Sequence, residues 1–465
     1  MAERGTIDTS QVRRAARMTG VAAGVAARET TARALRTGGD SQTLGAAASR
    51  QQLKSARALA NLFSGMRGAA MKVGQTLSTV DLGLVPEEIR GEFQAILAKL
   101  QQDAEPVPFD AVRGVLEEDL GKPLGRAFAD FDPEPVAAAS IGQVHRAETR
   151  DGRQVAVKVQ YPGIAEAIHA DMTNLKLGLK LLATIAPGID TAEIATEIRE
   201  RITEELDYEL EAANQREMAR VYRGHPFAVV PGVVTSLCRE RVLVADFVEG
   251  TRFAAAKERS QAERNRLGEI LVRFYLNGPL RHRLLNGDPH PGNSLFLDDG
   301  RVAFVDFGFF KHLGDADIGQ LLGSTRATYA GDAGALLDVV ARLGALPPDP
   351  ALAEPFLENY EAIFGWLMKD ERLAVDPAKT AEMMRRYTEM RRGEAFGRLR
   401  LPAEHFVLMR SVFLQISLLG QLGATNNWLD TAREWLLGEE PATELGRAEQ
   451  EFFGDRFPYP SEVPL

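Results

Sequence analysis

The stretch LLNGDPHPGNSLFLDDGRVAFVDFG, residues 284–308, sets Asp288 and Asp306 18 positions apart around an apolar run broken by turn residues. Asp299-Gly300 between SLFL and RVAF reads as the turn of a short hairpin, which folds the two aspartates toward one another. Asn293 stands five residues after Asp288, and Gly308 lets the chain turn sharply two residues after Asp306. Carboxylate and amide oxygens are hard ligands suited to Mg²⁺. Phosphoryl transfer from ATP needs such stations, because charge on the transferred group and on the β-phosphate has to be neutralised. Asp, Asn and Asp-Phe-Gly in this order fit that chemistry better than two unrelated turn aspartates would.

A second stretch lies upstream. QVHRAETRDGRQVAVKVQ, residues 143–160, alternates apolar and polar residues on either side of Asp151-Gly152 and predicts a β-hairpin. Before it comes AAASIGQVH, residues 137–145, whose small side chains let a backbone approach a bulky anion closely. Lys158 sits among the apolar residues of VAVKV, where an ammonium either snorkels to the sheet edge or pairs with an acid. A small-residue loop, a hairpin and a lysine on the third strand follow the order in which a kinase-like fold covers and neutralises nucleotide phosphates. The next helix should carry the partner acid. RITEELDYELEAANQ, residues 201–215, offers Glu204, Glu205, Asp207, Glu209 and Glu211, most of them expected on a solvated acidic face.

The 465 residues have room for two or three domains and an ample core. Formal charge is −10 overall, which excludes a general attraction to nucleic acid. Residues 1–70 are the exception: 11 Lys and Arg against four Asp and Glu give +7, leaving −17 for the remainder. The sole cysteine, Cys238, allows no intrachain disulfide and no structural zinc site, which suits a reducing, cytoplasmic setting. Arg13, Arg14 and Arg17 before VAAGVAA imitate a secretory signal, but that run is short, alanine-rich and followed by Arg28, so export is not expected. The same segment is either a solvated basic helix or a peripheral contact with anionic lipid. HFVLMRSVFLQISLLGQLG, residues 405–423, carries His405, Arg410 and Gln415 and reads as a buried core helix rather than a membrane span.

Three blocks follow from these patterns. Residues 1–105 read as a helical extension ending at the prolines of DAEPVPFD, 106–250 mix helix with strand, and 251–465 are mostly helical apart from the opening stretch. Within the middle block, about 164–222 reads as helical and AVVPGVVTS and RVLVADFVEG as strands.

Taken together, the motifs resemble the UbiB/AarF family of atypical protein-kinase-like proteins, associated with ubiquinone and other isoprenoid-lipid metabolism. MKVGQTLS resembles the family's K-x-G-Q signature at Lys72, Gly74 and Gln75. AAASIGQVH resembles its alanine-rich loop, here Ala137, Ala138, Ala139 and Ser140, and VAVKVQYPG the strand with the phosphate-pairing Lys158. In EELDYELEA the E-x-D signature falls on Glu205 and Asp207, and Glu211 matches the helix glutamate that pairs with the lysine. DPHPGN and VDFG carry over as the catalytic-loop Asp288, with Asn293 and Asp306 as metal ligands. VADFVEG resembles the linker between lobes, so backbone groups near Asp246 and Val248 should meet adenine.

The resemblance implies an α+β, atypical protein-kinase-like two-lobed fold with the N-terminal helical extension packed over the active site and Lys72 pointing into it. It also implies ATP or ADP and Mg²⁺ as ligands, and an isoprenoid lipid or quinone precursor as a further partner. Departures from ordinary kinases matter for the substrate. Asn286-Gly287 replaces the usual His-Arg before the catalytic aspartate, no Ala-Pro-Glu follows the Asp-Phe-Gly, and FFKHLGDADIGQ leaves little room for a long activation segment. Peptide phosphorylation is therefore not expected. The leading expectation is an ATPase or a phosphotransferase on a small or lipid substrate; the rival is a nucleotide-binding regulator or scaffold with little turnover.

Overall fold

The computed structural model describes residues 107–169, 203–342, 348–376 and 403–454, together with isolated positions among 54–199 and 378–386. The K-x-G-Q signature, Lys72, Gly74 and Gln75, and the basic N-terminus lie outside the described residues. Strands and helices are mixed throughout. β1 (Phe128–Ala138), β2 (Gly142–Thr149), β3 (Gln154–Gln160) and β5 (Val242–Asp246) follow one another in a four-stranded sheet.

The chain divides into two compact units. The first comprises 1–152, 157–208 and 239–242. Helix α1 (Phe109–Leu120) begins after Pro108, carries Asp110 in its first turn and stops at Gly121, whose φ of 64° is cheap only for glycine. Val112, Val115, Leu116 and Leu120 repeat at helical spacing and are buried. After the short α2 (Leu124–Ala127) the chain enters β1, and β1 pairs with β2 in antiparallel register from Phe128↔Thr149 to Ala138↔Gln143. Gly152, at φ 84°, closes the turn into β3 as Asp151-Gly152 predicts. Val157 and Val159 are buried on one face of β3, and Lys158 between them lies half-buried on the other.

The second unit comprises 153–156, 209–238 and 243–465. Helix α3 (Tyr208–Val221) enters it. β7 (Ser294–Phe296) and β8 (Val302–Phe304) form the expected antiparallel hairpin around Gly300 at φ 84°, and β8 also pairs in parallel with β4 (Ala228–Val229). β6 (Leu284–Asn286) pairs with β9 (Phe310–His312), Asn286 opposite Phe310. Before them in the chain runs α4 (Gln261–Val272), begun by a capping box of Ser260 and Glu263 and continued by a π turn, Arg273–Asn277. The apolar 405–423 run is a core helix, Ala403–Leu422, with Ile416, Leu419 and Leu422 fully buried and the Gln415 amide donating to the Leu271 carbonyl at 3.3 Å.

Four sequence expectations are corrected in detail. Ala137 and Ala138 close β1 and Gly142–His145 already belong to β2, so the alanine-rich loop proper is residues 139–141. The helical reading of 164–222 breaks at Leu206-Asp207, because the Gln160 amide holds the Leu206 carbonyl at 2.8 Å and the Tyr208 N–H bonds the Glu240 carbonyl at 2.9 Å. AVVPGVVTS keeps only Ala228–Val229 as strand, because Pro231 cannot donate to a ladder and a 3₁₀ turn follows at Thr235–Leu237. The helical C-terminal block also holds a two-stranded ribbon, Arg372–Ala374 against Thr425–Asn427.

Candidate active site

In the second unit, the hairpin brings the two acidic stations of the opening stretch together. Register Ser294↔Phe304 sets Asn293 beside Val305, whose N–H donates to the Asn293 carbonyl at 3.1 Å. The Asn293 amide nitrogen donates to the Asp288 carbonyl at 2.9 Å and to its carboxylate at 3.4 Å. The Asp306 carboxylate accepts from the Gly308 N–H at 3.1 Å, which fixes it at the entrance of the Asp-Phe-Gly turn.

Asn286, whose role the motif pattern did not suggest, ties the stations directly. It is 2% exposed, donates its amide to the Asp306 carbonyl at 2.8 Å and accepts the Asp288 N–H at 3.3 Å. The signal was present as the departure Asn286-Gly287 where His-Arg would stand. Gly287 is compelled by packing: a Cβ there would collide with the Phe309 ring. His290 closes the loop, its N–H donating to the Asp288 carbonyl at 2.7 Å while its Nδ1 accepts from Gly292 at 3.2 Å.

Glu211 lies on α3 and is 1% exposed; a Cβ at Gly308 would lie 3.7 Å from its carboxylate, so the helix acid borders the Asp-Phe-Gly turn. Asn214, one turn on, donates to the Phe307 carbonyl at 3.2 Å. The buried Tyr275 phenol is pushed well above its ordinary value, first by burial and then by the charges of Asp288 and Asp306. After Gly308 only residues 309–314 precede helix Asp315–Tyr329, and three of these form β9. A long activation segment has no place there.

The donor set also bears on the metal. Asp306 and Asn293 offer a carboxylate and, with the amide nitrogen turned to Asp288, an amide oxygen. Among the described residues, no group of three or more His, Cys, Asp or Glu could hold a metal ion unaided. A few hard oxygens suit Mg²⁺, which keeps waters and substrate phosphates in its shell, better than an ion that needs a full protein cage.

In the first unit, Ser140 at the tip of the alanine-rich loop donates to the Glu205 carboxylate at 2.8 Å, joining that loop to the E-x-D turn. The Ala139 N–H bonds the Gly142 carbonyl at 2.8 Å, which closes the loop on itself. The Lys158 ammonium lies over the Tyr208 ring, 4.8 Å from its centroid. Gln143 and His145, both fully buried, form a connected set: the Val107 N–H donates to the Gln143 amide oxygen at 3.0 Å, the Gln143 amide nitrogen donates to His145 Nε2 at 2.9 Å, and His145 Nδ1 meets the Asp132 carbonyl at 2.9 Å. Asp246 and Val248 belong to the second unit. The Asp246 N–H bonds the Gly232 carbonyl at 2.8 Å and the Phe247 N–H the Gln154 carbonyl at 2.9 Å; no backbone bond among the described residues takes up the Val248 N–H.

A lysine on the third strand, a buried helix glutamate and an Asp-Asn-Asp cluster at the base of a short hairpin define a protein-kinase-like protein. Residues 99–340 match the ABC1 atypical kinase-like domain, and the chain belongs to that family, the UbiB/AarF group. It is 34% identical to ACTIVITY OF BC1 COMPLEX KINASE 1, chloroplastic, of Arabidopsis thaliana, over 66% of this chain and 45% of that protein. It is also 34% identical to atypical kinase COQ8B, mitochondrial, of Rattus norvegicus, over 57% of this chain and 50% of the relative. The chain thus spans about half the length of these curated relatives. A solved structure described as the complex of Rv3197 with erythromycin, from Mycobacterium tuberculosis, is similar at a TM-score of 0.61 and 31% identity, covering 82% of this chain and 95% of that one. No helix among the described residues is long and apolar enough to cross a membrane.

Proposed function

We propose that this chain is a Mg²⁺-dependent ATP-binding enzyme, an atypical kinase or ATPase acting on a small or lipid substrate in isoprenoid quinone or lipid metabolism. The observation that carries the proposal is the hydrogen-bonded set of Asp288, Asn293 and Asp306 held on Asn286. In this reading Asp288 orients or deprotonates the acceptor hydroxyl. Asp306 and Asn293 hold Mg²⁺, which supplies charge neutralisation on the β- and γ-phosphates when bound. Lys158 takes the α- and β-phosphates and pairs with Glu211, while Ala137, Ala138, Ala139 and Ser140 cover them. The Asp246 carbonyl and Val248 N–H meet the adenine edge. Lys72, with Gly74, Gln75, Glu205 and Asp207, forms a latch that places an additional cation among acids and phosphates.

The short segment after the Asp-Phe-Gly turn supports a small or lipid acceptor over a peptide, because it offers no activation loop for a peptide to lie on. A macrolide complex in the similar solved structure supports a bulky, largely apolar second ligand. We place the protein in a reducing compartment, with any membrane contact peripheral and made through the basic N-terminus. A second reading, a nucleotide-binding regulator with little turnover, is favoured by the Ser140–Glu205 bond, which engages the hydroxyl of the phosphate loop elsewhere. Phosphate release from ATP and Mg²⁺, with and without anionic liposomes and a phenolic quinone-precursor analogue, separates the two. Turnover that disappears in Asp306→Asn supports the enzyme; tight nucleotide binding with no turnover under any condition supports the regulator.

A further inference from the structure

Lys158 and the alanine-rich loop meet at one side chain that the family motifs leave without a role, Tyr208. This residue follows Asp207 directly, opens helix α3 and is 0% exposed. Its ring face lies 4.8 Å from the Lys158 ammonium. At the other end of the ring, the hydroxyl lies 3.1 Å from where a Cβ at Gly142 would stand, and that Cβ would also collide with the Val159 carbonyl. The Val159 carbonyl excludes any side chain at Gly142, the first residue of β2 after the loop, and the tyrosine tip lies close against the same residue. The backbone is equally fixed: the Tyr208 N–H bonds the Glu240 carbonyl at 2.9 Å, and the Gln160 amide bonds both Leu206 and Glu240 carbonyls at 2.8 and 3.3 Å.

A ring face and a carboxylate hold an ammonium in different ways. A carboxylate draws an ammonium by its charge, whereas the quadrupole of a ring orients it through one face and brings no net charge of its own. The attraction grows as water is excluded; here the ring is fully buried and the lysine half-buried. We infer that Tyr208 is a positioning residue for the nucleotide: its ring face aims Lys158 at the phosphates, and its tip keeps the alanine-rich loop in step with that lysine. This rests on the ATP-binding reading above and adds to it a residue outside the Lys158–Glu211 pair.

The test compares Tyr208→Leu, which removes the ring, with Tyr208→Phe, which keeps it. Binding of ATP with Mg²⁺ and of adenosine is measured by calorimetry. In parallel, the ring-current shift of Lys158 is read by NMR after ¹³C reductive methylation, with Lys158→Arg assigning the signal. Tyr208→Leu is expected to weaken ATP by about 5- to 30-fold, the range of a desolvated cation–π contact, with adenosine unchanged, and Phe to restore most of the loss. The upfield lysine signal should persist in wild type and Phe and vanish in Leu. Equal weakening of ATP and adenosine, a Phe variant as weak as Leu, or a Leu variant that binds ATP as wild type would each overturn the inference. Tyr208→Met replaces Leu if the latter fails to fold. A wild type that binds no nucleotide would overturn the ATP reading instead, and the ring-current signal alone would then decide whether the tyrosine holds the lysine.

Discussion

Asn286 is where one side chain has the widest reach. Its amide serves two acidic stations at once, so Asn286→Ala removes the bond to the Asp306 carbonyl and the bond from the Asp288 N–H, both part-buried. The expected cost is about 1–3 kcal/mol of stability, with a larger fractional loss in turnover because Asp288 and Asp306 lose their shared anchor. Denaturant melts and steady-state phosphate release on the same preparation check both. Asp306→Asn is the complementary change: fold and apo stability should survive, whereas Mg²⁺-dependent stabilisation by nucleotide should vanish in a thermal shift, and an unaltered shift would remove Asp306 from the metal site. Lys72 belongs at this scale too. If it is a latch, Lys72→Ala raises turnover or changes the choice between ADP and ATP, and a variant identical to wild type discredits the latch.

Among the elements, the π turn Arg273–Asn277 joins the helix before the Asp288–Asn293 loop to the C-terminal helices. Arg273 is fully buried and bonds Glu434 at 2.6 Å, Glu449 at 2.8 Å and Glu269 at 2.9 Å. Burial weakens the guanidinium's hold on its proton, but Glu449, Glu434 and Glu269 more than offset it and raise its affinity above the ordinary value. Arg273→Met strips three carboxylates of their common cation and should destabilise by about 3–5 kcal/mol, read as a fall in denaturation midpoint. In β2 the buried His145 is held neutral, first by desolvation, which lowers its affinity for a proton. The unfolded chain therefore binds the proton more readily than the folded one. Stability at this residue is complete above the unfolded value near 6.5 and is lost as pH falls below it, by at most about 1.4 kcal/mol per pH unit. His145→Gln should flatten the stability profile below about pH 6.5, measured by denaturant titration.

For the whole molecule, ligand linkage is the accessible quantity. ATP with Mg²⁺ at about 100 times its dissociation constant should add roughly 2.7 kcal/mol to the stability of whatever part of the chain closes on it, and EDTA should abolish the gain. The charge asymmetry makes a separate prediction: deleting residues 1–40 should remove binding to anionic vesicles while leaving binding in solution to nucleotide intact. Vesicle co-sedimentation that survives the deletion would place any lipid contact elsewhere.

Much of this is legible in the sequence, for a definable physical reason. Turn chemistry at Asp151-Gly152 and Asp299-Gly300, alternation along VAVKV and the order Asp, Asn, Asp-Phe-Gly are local properties, and they determined the hairpins, the strand that carries Lys158 and the kinase-like class. Groups whose partners lie far along the chain were not legible. That Asn286 joins two aspartates, that Ser140 reaches Glu205, that Tyr208 lies under Lys158 and that Arg273 gathers three glutamates depends on packing between distant segments. Periodicity and spacing record which face a residue occupies; only the tertiary structure decides which polar atoms then meet, because each buried group has to find its partner wherever the fold has brought one.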